Sequence, residues 1–389
     1  MNALLTLLLC VPSADAAVIE VASPHFRVVT DLSNEEAADL LEKLETMLGH
    51  VQRYWGRRLP KPIDMYVAKD LSGWPESYLN RMSPDGVMSI RNRGGLTIRQ
   101  TARLGAKWDS RAVVYATSER GTAQHEAVHA YCGLAFGETG PVWYAEGMAE
   151  VGQYWRKDDP SAVHAHPVVI NYLKGTDPKP LAELVSPNQQ TGDSWQNYAS
   201  RWALCHLLGF NPNYDKRFKP LGLALLSGKP VQFKDAYGPQ SQEIEFEYAL
   251  FLEHLCEGYR MDLCAWDWRK SRTKVPRTRG TPFTVKARAG WQPTPIVVKE
   301  GDVYTVTTDG EWTIDDATET TADGAADGRG RLVGVIFDDY ELSEPFDLGA
   351  DVCFTAPRDG QLVLRCRDDW GALADNDGTI KGKLTPVRE

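Results

Sequence analysis

From Val18 to Thr30 apolar and polar positions alternate, with Phe26, Val28 and Thr30 on one face, and this period of two predicts a strand. Ser33 then stands where a helix N-cap belongs. Behind it Leu40, Leu41, Leu44 and Leu48 recur at helical spacing, so a helix is expected over 34–56. Ile63–Ala68, Leu96–Arg99 and Ala112–Thr117 read as further strands. From 122 to about 268 the pattern turns helical, including Tyr198–Leu208 and Glu243–Glu257. Strands followed by segregated helices predict an α+β fold.

At Arg269 the apolar period stops. Residues 269–282 are basic, contain Pro and Gly, and read as a linker. Beyond them come short apolar runs and the pairs Asp309-Gly310, Asp359-Gly360 and Asp377-Gly378, each a turn signal. An all-β sandwich of about 110 residues is expected over 283–389. The Ala/Asp/Gly stretch 318–330 reads as a flexible loop, and no internal repeat is present.

The first residues follow neither pattern. An apolar run over 3–11 precedes Pro12 and the small-residue stretch Ala14-Asp-Ala16, which predicts a secretory signal ending at 16 or 17. Its N-terminal flank lacks Lys and Arg. No later stretch is long and apolar enough to span a bilayer, so no membrane partner is expected once the signal is removed. The reading is therefore a signal over 1–17, an α+β domain over 18–268, a linker and a β domain. A secreted or periplasmic setting is expected. Removal of the signal leaves Cys132, Cys205, Cys256, Cys264, Cys353 and Cys366. An even number in an exported chain permits disulfides. If the Asp359-Gly360 turn closes a two-residue hairpin, Cys353 and Cys366 face each other across it. Cys256–Cys264 is a second, local pair. Free buried thiols are the alternative.

Charge is uneven. Residues 1–279 hold 32 acidic and 32 basic side chains, and residues 280–389 hold 21 and 11, so the net −10 lies in the last part. This balance argues against nucleic-acid binding. In an exported β module, acidic side chains also fit Ca²⁺.

The candidate chemistry lies in His125-Glu-Ala-Val-His129. Histidines four apart share one helix face, about 6 Å apart at Cβ. That spacing suits two imidazoles on one Zn²⁺, with Glu126 within reach of a metal-bound water. A catalytic zinc takes a third protein ligand. The glycine and third histidine of the longer three-histidine pattern are replaced by Cys132 and Ala135. The third ligand is sought in Val142-Trp-Tyr-Ala-Glu-Gly-Met-Ala-Glu-Val151, where Glu146 can fold back beyond Gly140-Pro141 and Glu150 follows one turn later.

This constellation resembles the gluzincin metallopeptidases. The form Trp143-x-x-Glu-Gly-x-Ala-Glu150 is similar to the peptidase-MA-like group of secreted bacterial proteins, as are Ser23-Pro-His-Phe26 and Tyr198-Ala-Ser-Arg-Trp-Ala-Leu204. The resemblance covers roughly residues 20–260. It implies a zincin-like domain with His125, His129 and Glu146 as zinc ligands and Glu126 as general base. Glu150 would orient the first histidine. Tyr198 is the first choice for stabilising an oxyanion, with His206, His164 and Tyr172 as alternatives. The expected reaction is hydrolysis of a peptide or protein substrate, with strand Ala112–Thr117 placed to pair with an extended peptide.

Residues 290–389 resemble the bacterial galactophilic, LecA-like lectins. The likeness lies in Gly290-Trp-Gln292, Lys299-Glu-Gly-Asp302, Gly310-Glu-Trp312, Leu332-Val-Gly-Val335, Ala356-Pro-Arg-Asp-Gly360 and Ala374-Asp-Asn-Asp-Gly378. It implies Ca²⁺ at Asp369, Asp375 and Asn376, and a glycan as partner. No histidine follows His254, so that lectin's sugar-contacting histidine has no counterpart. The expectation is an exported zinc metallopeptidase with an accessory β-sandwich. Its rivals are a non-catalytic cell-surface or carbohydrate-binding protein on a structural zincin core, and a zinc hydrolase of non-peptide bonds.

Overall fold

The structure, a computed structural model, describes residues 18–104, 107–156, 159, 161–270 and 278–387. The expected signal segment and residues 271–277, half of the basic linker, lie outside them. The chain forms two compact units that divide between Glu138 and Thr139.

The first unit is a five-stranded mixed sheet with helices. Strands β1 (Ile19–Ala22) and β2 (Phe26–Thr30) are followed by helix α1 (Asn34–Trp55) and strand β3 (Ile63–Ala68). Short helices α2 (Glu76–Leu79) and α3 (Pro84–Arg91) lead into β4 (Gly95–Leu104), β5 (Lys107–Thr117) and helix α4 (Thr122–Ala135). Sequence alternation suggested one strand over 18–30. Ser23-Pro24-His25 instead turns the chain, and β1 pairs antiparallel with β2. Ser33 caps α1 as expected, in a capping box with Glu36, and Gly56 ends the helix in the left-handed region at φ 73°. Phe26, Val28, Ile63, Val67, Val114 and Ala116 are buried on one face of the sheet. Val29, Tyr66, Val113 and Tyr115 on the other face pack against Leu71, Trp74, Met82 and Ile90.

The strand order is β1-β2-β3-β5-β4. This corrects the expectation that Ala112–Thr117 receives a peptide. β5 is paired on both sides, parallel to β3 and antiparallel to β4. Its backbone donors and acceptors are used, and the edges are β4 on this side and β1 on the other.

The second unit starts with helix α5 (Val142–Tyr154). Helices α6 (Pro167–Lys174), α7 (Leu181–Leu184), α8 (Trp195–Phe210), α9 (Asp215–Leu226), α10 (Phe233–Tyr237), α11 (Ser241–His254) and α12 (Met261–Cys264) follow. α5 and α8 approach closely at Gly147, where a Cβ would lie 2.5 Å from Cys205 Sγ and 2.7 Å from the Arg201 carbonyl oxygen. Glu247 of α11 is buried. Its carboxylate accepts from Asn211 Nδ2, Asn213 Nδ2, Tyr214 Oη, the Trp266 N–H and Trp268 Nε1 at 2.6–3.0 Å. Burial pushes its carboxyl above the ordinary value, and these donors oppose that shift.

The strands are β6 (Thr281–Lys286), β7 (Gln292–Val298), β8 (Val303–Asp309), β9 (Trp312–Thr313), β10 (Glu319–Thr320), β11 (Leu332–Asp338), β12 (Glu341–Leu342), β13 (Phe346–Asp347), β14 (Asp351–Thr355), β15 (Gly360–Cys366) and β16 (Asp377–Pro386). One sheet runs β10-β9-β16-β8-β14 with β6 on β16, and the other runs β12-β11-β15-β7 with β13 on β11. Phe283, Ile296, Val306, Trp312, Ile336 and Leu364 belong to the core of these strands. The second sheet also buries its other side. Val333, Val335, Phe337 and Val363 pack with Leu250 and Trp266, and Phe246, Trp268 and Tyr340 close the cluster. β15 is therefore buried at every position and shows no alternation.

The Asp-Gly signals give strands as expected but not hairpins. Asp377-Gly378 opens β16 and pairs with β9, while Asp309-Gly310 lies where the chain passes from β8 to β9, both partners of β16. Asp359-Gly360 carries the chain from one sheet to the other, since β14 pairs with β8 and β15 with β11 and β7. This overturns the Cys353–Cys366 pairing: the two cysteines sit in different sheets, Cys353 exposed and Cys366 buried. Cys132, Cys205, Cys256 and Cys264 are also free thiols. The 318–330 stretch is no floppy loop either. It holds β10, a bridge from Asp323 to Arg331, and the Gly330 carbonyl that accepts from Trp312 Nε1 at 2.8 Å.

Candidate metal site

α4 begins at Gly121, whose φ of 74° lets the chain turn from β5 into the helix. Helical spacing then sets His125 above His129, and their Nε2 atoms lie 3.2 Å apart. His125 and Glu126 are buried. One carboxylate oxygen of Glu146, on α5, completes the group. The donors of His125, His129 and Glu146 all lie within 4.8 Å of one another. Among the described residues this is the one group of three or more His, Cys, Asp or Glu side chains placed to hold a metal ion. Two imidazole nitrogens and one carboxylate suit a divalent transition metal, with a coordination position left open.

Each acidic member is held by a threonine that its sequence neighbourhood did not reveal. Thr97 Oγ1 of β4 lies 2.7 Å from Glu126 Oε2 and 2.9 Å from the Glu126 carbonyl oxygen. Thr191 Oγ1 donates to Glu146 Oε1 at 2.9 Å. The segment bearing Thr191 is anchored in turn by Arg201 of α8, which is 1% exposed. Its guanidinium donates to both carboxylate oxygens of Asp193, at 3.2 and 2.5 Å, and to Gln189 Oε1 at 3.1 Å. Burial opposes ionisation of Asp193, yet the Arg201 bonds and its neighbours hold its carboxyl below the ordinary range. A hydrogen bond to a ligating carboxylate orients it and tunes the metal. Thr191→Val is therefore expected to weaken metal affinity about 10- to 100-fold, measured by competition with a chromophoric chelator. An unchanged affinity would remove Thr191 from the site.

Tyr198, on α8, is half-buried, and its hydroxyl accepts from the Gly192 N–H at 2.9 Å. Gly192 follows Thr191, so Tyr198 and Glu146 grip the same two-residue stretch. Of the alternatives for that role, His206 is a core residue among Trp202, Phe210 and Phe251. His164 is bound to Glu257 at 2.8 Å, and Tyr172 packs edge-on against the exposed Trp195. Glu150 is buried one turn beyond Glu146 and hydrogen-bonds Tyr154, whose hydroxyl is driven upward by burial and by that carboxylate.

The expected calcium trio is divided. Asp369 and Asp375 are exposed, and only Asn376 is buried. The buried carboxylate beside it is Asp368, which accepts from the Asp369 N–H at 2.8 Å and is raised by burial. Asp368 Oδ2 and Asn376 Oδ1 are both buried without a hydrogen-bond partner. β15 ends at Cys366, and the backbone beyond it turns the side chain of Asp368 inward and that of Asp369 outward.

The chain matches no protein-family model and no curated protein. Among solved structures it is weakly similar to the N-terminal domain of EclA, a PllA-like lectin, at 18% identity over 27% of this chain and 95% of that one, with a TM-score of 0.23. It is also weakly similar to PliG of Aeromonas hydrophila, a periplasmic inhibitor of g-type lysozyme, at 9% identity over 29% and 98% of the two chains, with a TM-score of 0.18. No described helix is long and apolar enough to cross a membrane.

Proposed function

We propose that this protein is an exported zinc-dependent metallopeptidase. The observation that carries the reading is the His125, His129 and Glu146 donor group with Glu126 beside it. Two nitrogens bound to one tetrahedral zinc at 2.0–2.1 Å stand about 3.3 Å apart, close to the 3.2 Å between these Nε2 atoms. Zinc bound there would polarise a water and a substrate carbonyl. Glu126 takes the proton released by the attacking water and returns it to the leaving amine. Tyr198 is the candidate donor to the oxyanion, and Glu150 the candidate support for the first histidine. In the unit that carries Glu126, β4 is the edge strand that seats this side chain, and an extended peptide added to that edge would be held by main-chain hydrogen bonds.

Metal analysis with a peptide-library digest tests the proposal. Wild type is expected to bind one zinc and cleave peptides. Glu126→Gln is expected to keep the zinc and lose at least about a hundredfold in kcat. Zinc without cleavage by wild type would favour a binding protein. Absence of zinc binding would reject both.

A further inference from the structure

Glu126 is seated by β4, not by its own helix. Gly95 and Thr97 are two apart on that strand, so both present the same face to α4. Their backbone positions are set by pairing with β5, Gly95 opposite Ala116 and Thr97 opposite Val114. At Gly95 a Cβ would stand 2.6 Å from both Cγ and Oε1 of Glu126. The missing side chain is the space that the glutamate fills. At Thr97 the hydroxyl lies 2.7 Å from Oε2. The hydroxyl has one proton and two acceptors in reach, this oxygen and the Glu126 carbonyl oxygen at 2.9 Å, and the side-chain oxygen is the nearer. One oxygen is thus tethered, and the other lies over the bare Cα of Gly95.

We infer that Thr97 is a positioning residue for the general base. This rests on the hydrolytic reading above. Its hydroxyl fixes the Glu126 carboxylate in one rotamer, and Gly95 makes room for that rotamer. A glutamate otherwise has three side-chain torsions to order before it can receive a proton. The same strand is one of the two sheet edges, so the element that would bear the substrate backbone also aims the base.

The test compares Thr97→Val, which is isosteric and lacks the hydroxyl, with Thr97→Ser, which keeps it. Three measurements are made on zinc-loaded full-length protein: zinc stoichiometry with Tm, kcat and KM on a cleaved library peptide, and the Glu126 rotamer in crystals. Thr97→Val is expected to keep zinc, Tm and KM and to lose ten- to a hundredfold in kcat, with Glu126 spread over several rotamers. Thr97→Ser is expected to stay within about threefold of wild type with one rotamer. The inference is overturned if Thr97→Val holds kcat within twofold and keeps the wild-type rotamer, or if Thr97→Ser is as impaired as Thr97→Val. If wild type cleaves nothing, the hydrolytic reading fails by itself. The Glu126 rotamer in the Thr97→Val crystals then decides whether the tether exists.

Discussion

Gly147→Ala is expected to destabilise the protein by about 3 kcal/mol and to weaken metal binding at least roughly tenfold. In an ordinary helix interior the same change stabilises by up to about 1 kcal/mol, because alanine is the better helix former. Here the added Cβ would meet Cys205 Sγ at 2.5 Å and the Arg201 carbonyl oxygen at 2.7 Å. Sulfur can shift a little, but a backbone carbonyl inside α8 cannot, so α5 must move away. Glu146 is the residue before Gly147, and Arg201 anchors the segment that brings Thr191 to Glu146. Displacing one helix therefore disturbs both the ligand and its support. Gly209→Ala is the control: it lies on α8 too, and its nearest neighbour, the Phe218 ring, is 3.7 Å away. That variant should be neutral or slightly more stable. Urea unfolding and chelator competition read both effects. A Gly147→Ala protein as stable as wild type would show that the α5–α8 contact is looser than described.

Acid is expected to weaken the fold well before its carboxylates titrate. His206 and His254 are both held neutral, each pushed down to about 3, chiefly by burial. His206 lies among aromatic rings, with Nε2 unpartnered, near His164 and Asp159. The His254 ring stacks on Trp370 at 4.0 Å, with Arg365 and Lys174 adding repulsion and Glu253 Oε1 4.0 Å away. In the unfolded chain each titrates near 6.5. Below that pH the unfolded state binds protons that the folded state refuses, so stability falls as pH falls. The slope is about 1.4 kcal/mol per pH unit for each histidine until the folded value is reached. At pH 5 the two together cost about 4 kcal/mol, a large share of a typical 5–15 kcal/mol. Urea unfolding of metal-free protein at pH 7.5 and 5.0 measures this. His206→Phe, which fits its aromatic surroundings, should remove about half of the difference. A variant with the full wild-type difference would mean that His206 is protonated in the fold.

Several of these features were legible along the chain and others were not. The Ser33–Glu36 capping box, the leucine stripe of α1 and the His125–His129 spacing are contacts within four residues, and local periodicity reports such contacts directly. Thr97 and Glu126 are 29 residues apart, and Thr191 and Glu146 are 45 apart. No local pattern marks either pair, because a threonine on a strand or in a loop is ordinary there. The strand order was hidden for the same reason. A run such as Ala112–Thr117 is apolar whether it is central or at an edge, and only its partners distinguish the cases. Asp-Gly also misled at Asp359-Gly360. The dipeptide marks a place where the backbone can reverse or bend, but not which strand it will meet, and so the cysteines on either side fell into different sheets.

The sequence by itself determined the long helices α1, α4, α8 and α11 and the strands β3, β4 and β5. It also determined that His125 and His129 share one helix face with Glu126 between them, because side chains three and four apart are fixed by helix geometry alone. Only the tertiary structure decided that β4 is an edge and β5 is not, that Gly95 and Thr97 seat Glu126, that Gly147 admits α8, and that Asp368 rather than Asp369 turns inward beside Asn376. These depend on which distant backbones approach within a few ångströms, and packing across the whole fold sets that distance.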